Sequence, residues 1–194
     1  MTSSIPSQHE RRPGGPAYAG YVRTDPRRPG GLAVGVVTLR SAVLADLPVL
    51  SRLIDGHPLF ARYALTPAGL ARGLRTGLVA GDTVMVARAA DEPVGMAWSV
   101  PHGAFGRMPY LQLLVVARSA VGHGIGGRLM DDYEDAAFLR ARYAFLLVTV
   151  GNDDALRFYA RRGYEVVGRL DGHVHPEVDE WVLRKRRPGA DGPA

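Results

Sequence analysis

Cysteine is absent from the 194 residues. That excludes disulfides, thiolate zinc sites and a cysteine nucleophile together. It fits a reducing compartment, and a cytoplasmic location is the expectation. Lysine occurs once, at Lys185, so arginine carries nearly all the positive charge; this is read as a GC-rich bacterial coding bias. No apolar run approaches the ~18 residues of a membrane span. Met1 to Gly15 lacks the apolar stretch of a signal peptide.

What remains is the balance of a soluble globular chain, 46% apolar and 22% charged. The net charge of +5 is unevenly spread. Residues 1–31 hold five Arg against two acids, and residues 184–194 hold four basic groups against one acid. Residues 32–183 carry 15 basic and 16 acidic groups, so the pI of 9.9 belongs to the ends. A nucleic-acid-binding domain is expected to carry its basic patch on a folded face. The near-neutral middle therefore speaks against that partner. The Pro-Gly breaks at 13–16 and 29–31 mark 1–31 as a disordered tail, and 188–194 has the same character. One domain over 32–187 is expected between them.

Within it the elements alternate. Val34–Leu39 reads as a strand and Ala45–Ile54 as a helix. Thr66-Pro67 is an N-cap followed by proline, which starts a helix running to about Leu78. Strands follow at Thr83–Ala89, Val94–Val100 and Tyr110–Val116, with a Gly-rich loop at His102–Arg107. Gly122–Gly127 opens a helix reaching about Arg140. Phe145–Val150 is an apolar strand, Asp153–Arg162 a helix, and Tyr164–Gly168 and Trp181–Arg184 strands joined by a polar loop with His173 and His175. The expected class is α/β: a mixed, mostly antiparallel sheet, a late βαβ crossover and about four flanking helices.

Gly122-His123-Gly124-Ile125-Gly126-Gly127 follows a strand and opens a helix. Glycines there let a backbone approach a ligand, and the exposed N–H groups of a helix start suit a phosphate. A bare tight turn is the plainer reading. The string also matches G-x-G-x-x-G at 122, 124 and 127, with Asp153 downstream. A dinucleotide unit, however, runs its strand almost directly into the first glycine, whereas Ala117–Val121 intervene here. Only about 65 residues follow the loop, too few for a second half-sheet.

The stretch from Leu114 through Val116 and Val121 to Gly126 resembles the acetyl-CoA loop of the GNAT superfamily of N-acetyltransferases, a strand ending L-x-V and then Q/R-x-x-G-x-G/A. Asn152-x-x-Ala155-x-x-Phe158-Tyr159-x-x-x-Gly163-Tyr164 resembles its second signature, about 30 residues on. The resemblance covers about 34–186. It implies a splayed parallel strand pair, with acetyl-CoA as cosubstrate and no metal. Leu114, Val115 and Val116 would hold the pantetheine arm, an amide near Val115 would polarise the thioester oxygen, and amides of Val121, Gly122, His123, Gly124, Ile125, Gly126 and Gly127 would hold the pyrophosphate. Asn152 would bind pantetheine and Ala155 would matter by being small. Tyr159 would protonate the leaving thiolate. The implied partners are acetyl-CoA and an amine acceptor, small molecule or protein, with no membrane; homodimers are common in the family.

The departures are Val121 where the family has Arg or Gln, Arg118 where it has proline, and Gln112 where many members carry a basic Glu. A neutral amide positions a water or the acceptor but takes no proton. His102, His173, His175 and Glu180 are the other candidate bases. Phe105, between Gly103 and Gly106, is a candidate to close over the acceptor. Each site residue has a structural reading too: Asn152 as a helix N-cap, Tyr159 as a packed aromatic, and 173–179 as a solvated loop. A non-catalytic acyl-CoA-binding module on the same fold is the alternative function.

Overall fold

The computed structural model describes residues 36–189. The tail assigned to 1–31, and all of the C-terminal tail but Pro188 and Gly189, lie outside the described residues.

Seven strands form one sheet: β1 (Val37–Ser41), β2 (Thr83–Ala89), β3 (Glu92–Ala104), β4 (Met108–Val116), β5 (Tyr143–Thr149), β6 (Glu165–His175) and β7 (Val178–Arg186). Their order is β1-β2-β3-β4-β5-β7-β6. All neighbours are antiparallel except β4 and β5. Five helices flank it: α1 (Leu47–Leu50), α2 (Pro58–Arg62), α3 (Pro67–Val79), α4 (Ile125–Phe138) and α5 (Asp153–Arg161). This is the expected mixed sheet, with five helices among the described residues rather than about four.

The helices cover both faces, so there are two cores. On one face Leu47, Leu50, Ile54, Phe60, Leu70 and Leu74 pack on Val84, Val86, Met96, Leu113 and Val115. On the other, Ile125, Leu129, Met130, Tyr133 and Tyr159 pack on Leu111, Leu114 and Val116. Helix α3 starts where the sequence says: the Thr66 hydroxyl accepts from the Gly69 amide at 3.1 Å.

Three expectations need correction. The helix expected over 45–54 is broken into a 3₁₀ turn, the single turn α1 and another 3₁₀ turn. The Ser51 hydroxyl donates back to the Pro48 carbonyl at 3.1 Å, which competes with the helical ladder. Half of the Gly-rich loop at 102–107 is strand, because β3 continues to Ala104 and only 105–107 turn. The polar loop holding His173 and His175 is also strand. β6 and β7 form one long hairpin, turning at 176–177. Its polar residues are satisfied on the exposed edge, where Asp179 accepts from Arg169 at 2.5 Å and from the Gly172 amide at 3.0 Å.

Candidate active site

Strands β4 and β5 pair only at Tyr110↔Phe145 and Leu111↔Leu146. β4 then continues to Val116 and β5 to Thr149 without pairing each other, so the sheet opens between them. The Tyr133 hydroxyl, from α4, stands at the vertex and donates to the Phe145 carbonyl at 3.3 Å. A cleft in mid-sheet leaves backbone hydrogen-bonding groups facing it, which an extended ligand satisfies as a strand would.

A β-bulge marks the same place. Trp98 pairs with Leu113 and Ser99 with Leu111, leaving Gln112 unopposed. The bulge reverses the alternation. Leu111 joins Leu114 and Val116 in the α4 core, while Leu113 and Val115 join the α3 core. Gln112 is thereby set, 5% exposed, at the wall of a cavity.

The glycine loop leads from β4 through a 3₁₀ turn (Arg118–Ala120) to α4. Gly122 (φ +89°) and Gly124 (φ +74°) occupy the left-handed region, which disfavours any side chain. A Cβ at either would meet nothing within 4 Å, so the loop is open to solvent. Gly124 is the N-cap and supplies no side-chain cap. The first-turn amides of Ile125, Gly126 and Gly127 have no intrahelical acceptor, and the helix dipole adds to their pull on an anion. The loop can therefore hold a phosphate group. Exposed His123 turns its Nδ1 to the Val121 carbonyl at 3.2 Å.

Helix α5 carries the second group. Asn152 is its N-cap, accepting from the Ala155 amide at 3.2 Å. Ala155 and Tyr159 are fully buried in the α4 core. The Tyr159 ring meets Phe158 and Tyr164 edge-on at 5.1 and 5.6 Å. Both the capping and the packing readings of these residues hold structurally. Tyr159 also belongs to a group of tyrosines: burial first, then the neighbouring hydroxyls and carboxylates, raises Tyr110, Tyr133 and Tyr164 above the ordinary phenol range.

The cavity beside Gln112 has a volume of about 890 Å³ and lies between α3, the β3–β4 hairpin and the β6–β7 hairpin. Trp98 forms one wall, lying against Gly73 and Gly77 of α3. Its indole N–H donates to Asp82 at 2.9 Å. Phe105, at the hairpin tip (φ +54°), meets Phe145 edge-on at 5.4 Å across the mouth. Of the candidate bases, His102 and His173 line this cavity and are exposed. His175 instead accepts from the Glu177 amide at 3.4 Å, at the hairpin turn. Among the described residues no three of His, Asp and Glu come together as metal ligands.

Glu180, the remaining candidate, is not among the residues that line the cavity. It is 1% exposed on β7, opposite Thr149 on one side and Leu170 on the other. Tyr63 donates to Glu180 Oε1 at 3.1 Å, and its hydroxyl also lies 2.6 Å from Thr149 Oγ1. Burial pushes the Glu180 carboxyl up from its ordinary value, against the opposing pull of the Tyr63 hydrogen bond and His173. The sequence held a signal for it: in Val178-Asp179-Glu180-Trp181-Val182 the alternation puts a carboxylate on the apolar face. Tyr63, Thr149 and Tyr133 carry no comparable signal, since a buried hydroxyl looks like any other Tyr or Thr until its partner is known. His57, without signal in the sequence, is the N-cap of α2, accepting from the Leu59 amide at 3.1 Å.

The family model described as "Acetyltransferase (GNAT) family" matches residues 59–164, more than half of the chain. Solved structures share the fold at low identity. An acetyltransferase from Thermus thermophilus is 22% identical, with a TM-score of 0.62 over 78% of this chain and 98% of that one. A ribosomal-protein-alanine N-acetyltransferase from Brucella melitensis is 21% identical, with a TM-score of 0.62 over 77% and 99%. A spermidine N-acetyltransferase chimera from Vibrio cholerae and hSSAT is 18% identical, with a TM-score of 0.61 over 77% and 95%. With both motifs lying on the β4–β5 cleft and the family model spanning them, the chain belongs to the GNAT acetyltransferase family.

Proposed function

We propose that this protein is an acetyl-CoA-dependent N-acetyltransferase, moving an acetyl group to a primary amine by direct attack in a ternary complex. One observation carries the reading: β4 and β5 part after two residue pairs, directly ahead of the open Gly122–Gly124 loop and the start of α4. The residues present fit the cosubstrate. The unpaired edge of β4 at Leu114–Val116 suits an amide-bearing arm, and the amides from Val121 to Gly127 suit a pyrophosphate.

In this reading an amide near Val115 stabilises the oxygen on which charge develops as the amine attacks. Asn152 orients the pantetheine arm. Tyr159 gives a proton to the departing sulfur, a phenol of ordinary pKa ~10 being a usable donor to a thiolate of ~8.5 or above. Gln112 positions the acceptor or a water. A neutral amide at that place also favours a second reading, a non-catalytic acyl-CoA-binding module, and turnover separates the two. The cytoplasmic location stays with this proposal; no helix among the described residues is long and apolar enough to cross a membrane.

The test is calorimetric titration with acetyl-CoA. Micromolar binding, about 8 kcal/mol, is expected. Gly124→Glu should abolish it by setting a carboxylate against the pyrophosphate, since a Cβ there meets nothing within 4 Å. Tyr159→Phe should bind acetyl-CoA and release thiol slowly. Failure of both acetyl-CoA and free CoA to bind overturns the reading.

A further inference from the structure

Among the described residues, none that lines the cavity brings a negative charge to Gln112. The ionisable side chains on its wall are Asp82, His102, Tyr110 and His173. Asp82 accepts from the Trp98 indole at 2.9 Å. It precedes β2, and β3 lies between β2 and the β4 strand that carries Gln112. Two strand spacings, ~10 Å, separate those strands. His102 and His173 are exposed and carry either no charge or a positive one, so neither balances an ammonium. Glu180 lies outside the lining, and its Oε1 accepts from Tyr63. Gln112 itself is a neutral amide, 5% exposed. An ammonium seated there would lose its water without gaining a counter-charge, and an unpaired buried charge is strongly unfavourable.

The rest of the cavity suits a flat apolar body. Trp98, lying against Gly73 and Gly77, forms one wall, and Phe105 and Phe145 meet edge-on across the mouth. The volume of about 890 Å³ has room for fused rings. One polar atom waits beside Gln112. Tyr110, two residues earlier on β4, lines the same cavity, and its hydroxyl is buried with no hydrogen-bond partner among the described residues. A buried hydroxyl left so costs roughly 1–3 kcal/mol unless a ligand pairs with it. An uncharged N–H group supplies that partner without bringing a charge.

Resting on the acetyltransferase reading, we propose that the acceptor is an arylamine, its amino group attached directly to an aromatic ring, bound uncharged with its nitrogen at Tyr110 and Gln112. Conjugation with the ring keeps such a nitrogen unprotonated at neutral pH. No base is then needed before attack, and a neutral amide serves at a position where many family members carry Glu. The nitrogen lone pair forms the C–N bond to the thioester carbonyl carbon, and the C–S bond breaks. The nitrogen sheds one proton and the sulfur takes up one. Arylamine and acetyl-CoA thus give the N-acetylarylamine and the CoA thiol with no net proton change. An alkylamine arrives instead as an ammonium, titrating near ~10 as lysine does, with one more proton to lose.

The experiment compares 1-naphthylamine with 1-naphthylmethylamine, which share the ring body and differ in the nitrogen, and with spermidine. In thiol release by the full chain with acetyl-CoA at pH 7, 1-naphthylamine should exceed both others at least tenfold in kcat/KM. Its kcat/KM should stay level within about twofold from pH 6.5 to 8.5. That of 1-naphthylmethylamine should climb close to tenfold per pH unit, following its uncharged fraction. In calorimetry with free CoA present, where no transfer occurs, 1-naphthylamine should bind at least tenfold more tightly than 1-naphthylmethylamine. Gln112→Glu, which supplies the missing charge, should shift the ratio of the two kcat/KM values at least tenfold toward 1-naphthylmethylamine. Phe105→Gly, at an exposed tip where glycine relieves the positive φ, should raise the KM for 1-naphthylamine at least fivefold even if Gln112→Glu folds poorly. A preference for spermidine or 1-naphthylmethylamine, or a level pH profile for the alkylamine, overturns the proposal. Acetyl-CoA binding without turnover of 1-naphthylamine also overturns it, while leaving the donor reading standing. Absence of acetyl-CoA binding strikes the donor reading itself.

Discussion

The Tyr133 hydroxyl donates to the carbonyl of Phe145, the residue just before the last β4–β5 pair, Leu111↔Leu146. A helix side chain thus supplies a donor at the vertex of the cleft, where the interstrand ladder ends. Tyr133→Phe keeps the ring and removes the donor. It should cost about 1 kcal/mol of stability in urea denaturation. It should also weaken acetyl-CoA binding several-fold by calorimetry, because the carbonyl then seeks a partner inside the cleft. Unchanged affinity would show that the vertex does not depend on this bond.

Gly77 lies against Trp98 so closely that a Cβ would sit 2.8 Å from the indole and 2.5 Å from an Asp82 oxygen. Helix propensity favours Gly77→Ala by about 1 kcal/mol. Overpacking opposes it by about 1–3 kcal/mol. The clash should win, with a net loss of about 1 kcal/mol and a raised acceptor KM. Gly73→Ala, where the closest indole atom is 3.3 Å away, should come out near neutral. Thermal melts of the two variants make the comparison.

Asp46 accepts from Arg40 at 2.6 and 2.8 Å and from the Val43 amide at 2.8 Å. The Arg40 hydrogen bond, chiefly, holds its carboxyl down at about 2. A depressed folded pKa stabilises above the unfolded value of about 4 and is lost as pH falls toward 2. Asp46→Asn should therefore cost about 1 kcal/mol at pH 7, near the low end because Arg40 is 40% exposed. The variant should also flatten the stability curve between pH 4 and 2, measured by denaturation across that range.

Glu134 is 7% exposed and joins Arg162 at 3.0 Å and Lys185 at 2.6 Å, tying α4 to the residue that follows α5 and to β7. Glu134→Ala leaves the largely buried Lys185 without its carboxylate and Arg162 with Asp131 alone, and should cost about 3 kcal/mol. Lys185→Met should cost much less, since Arg162 and Glu134 keep each other. Salt should change neither value much, as the pair is poorly screened.

The glycine loop and the α5 cap were legible because local backbone conformation builds them. Gly122, Gly124 and the Asn152 cap act within a few residues of themselves, and their spacing is a property of the chain. The Thr66-Pro67 helix start and the apolar β5 run were readable for the same reason. The buried polar cluster was not. Glu180, Tyr63 and Thr149 meet across 117 and 86 residues of sequence. Whether Glu180 is a solvated acid or a buried one depends on which strands flank β7. Likewise, 169–175 reads as a polar loop until β7 offers it a ladder and Asp179 offers it charge.

By itself, then, the sequence determined the order of the strands along the chain, the open glycine turn and the α5 cap, because short-range sterics and hydrogen bonding decide those. Only the tertiary structure decided where the sheet splits, that the bulge sets Gln112 at the cavity wall and that Glu180 is buried beside Tyr63 and Thr149. Strand register and the burial of a charge arise from long-range pairing, which no local pattern specifies.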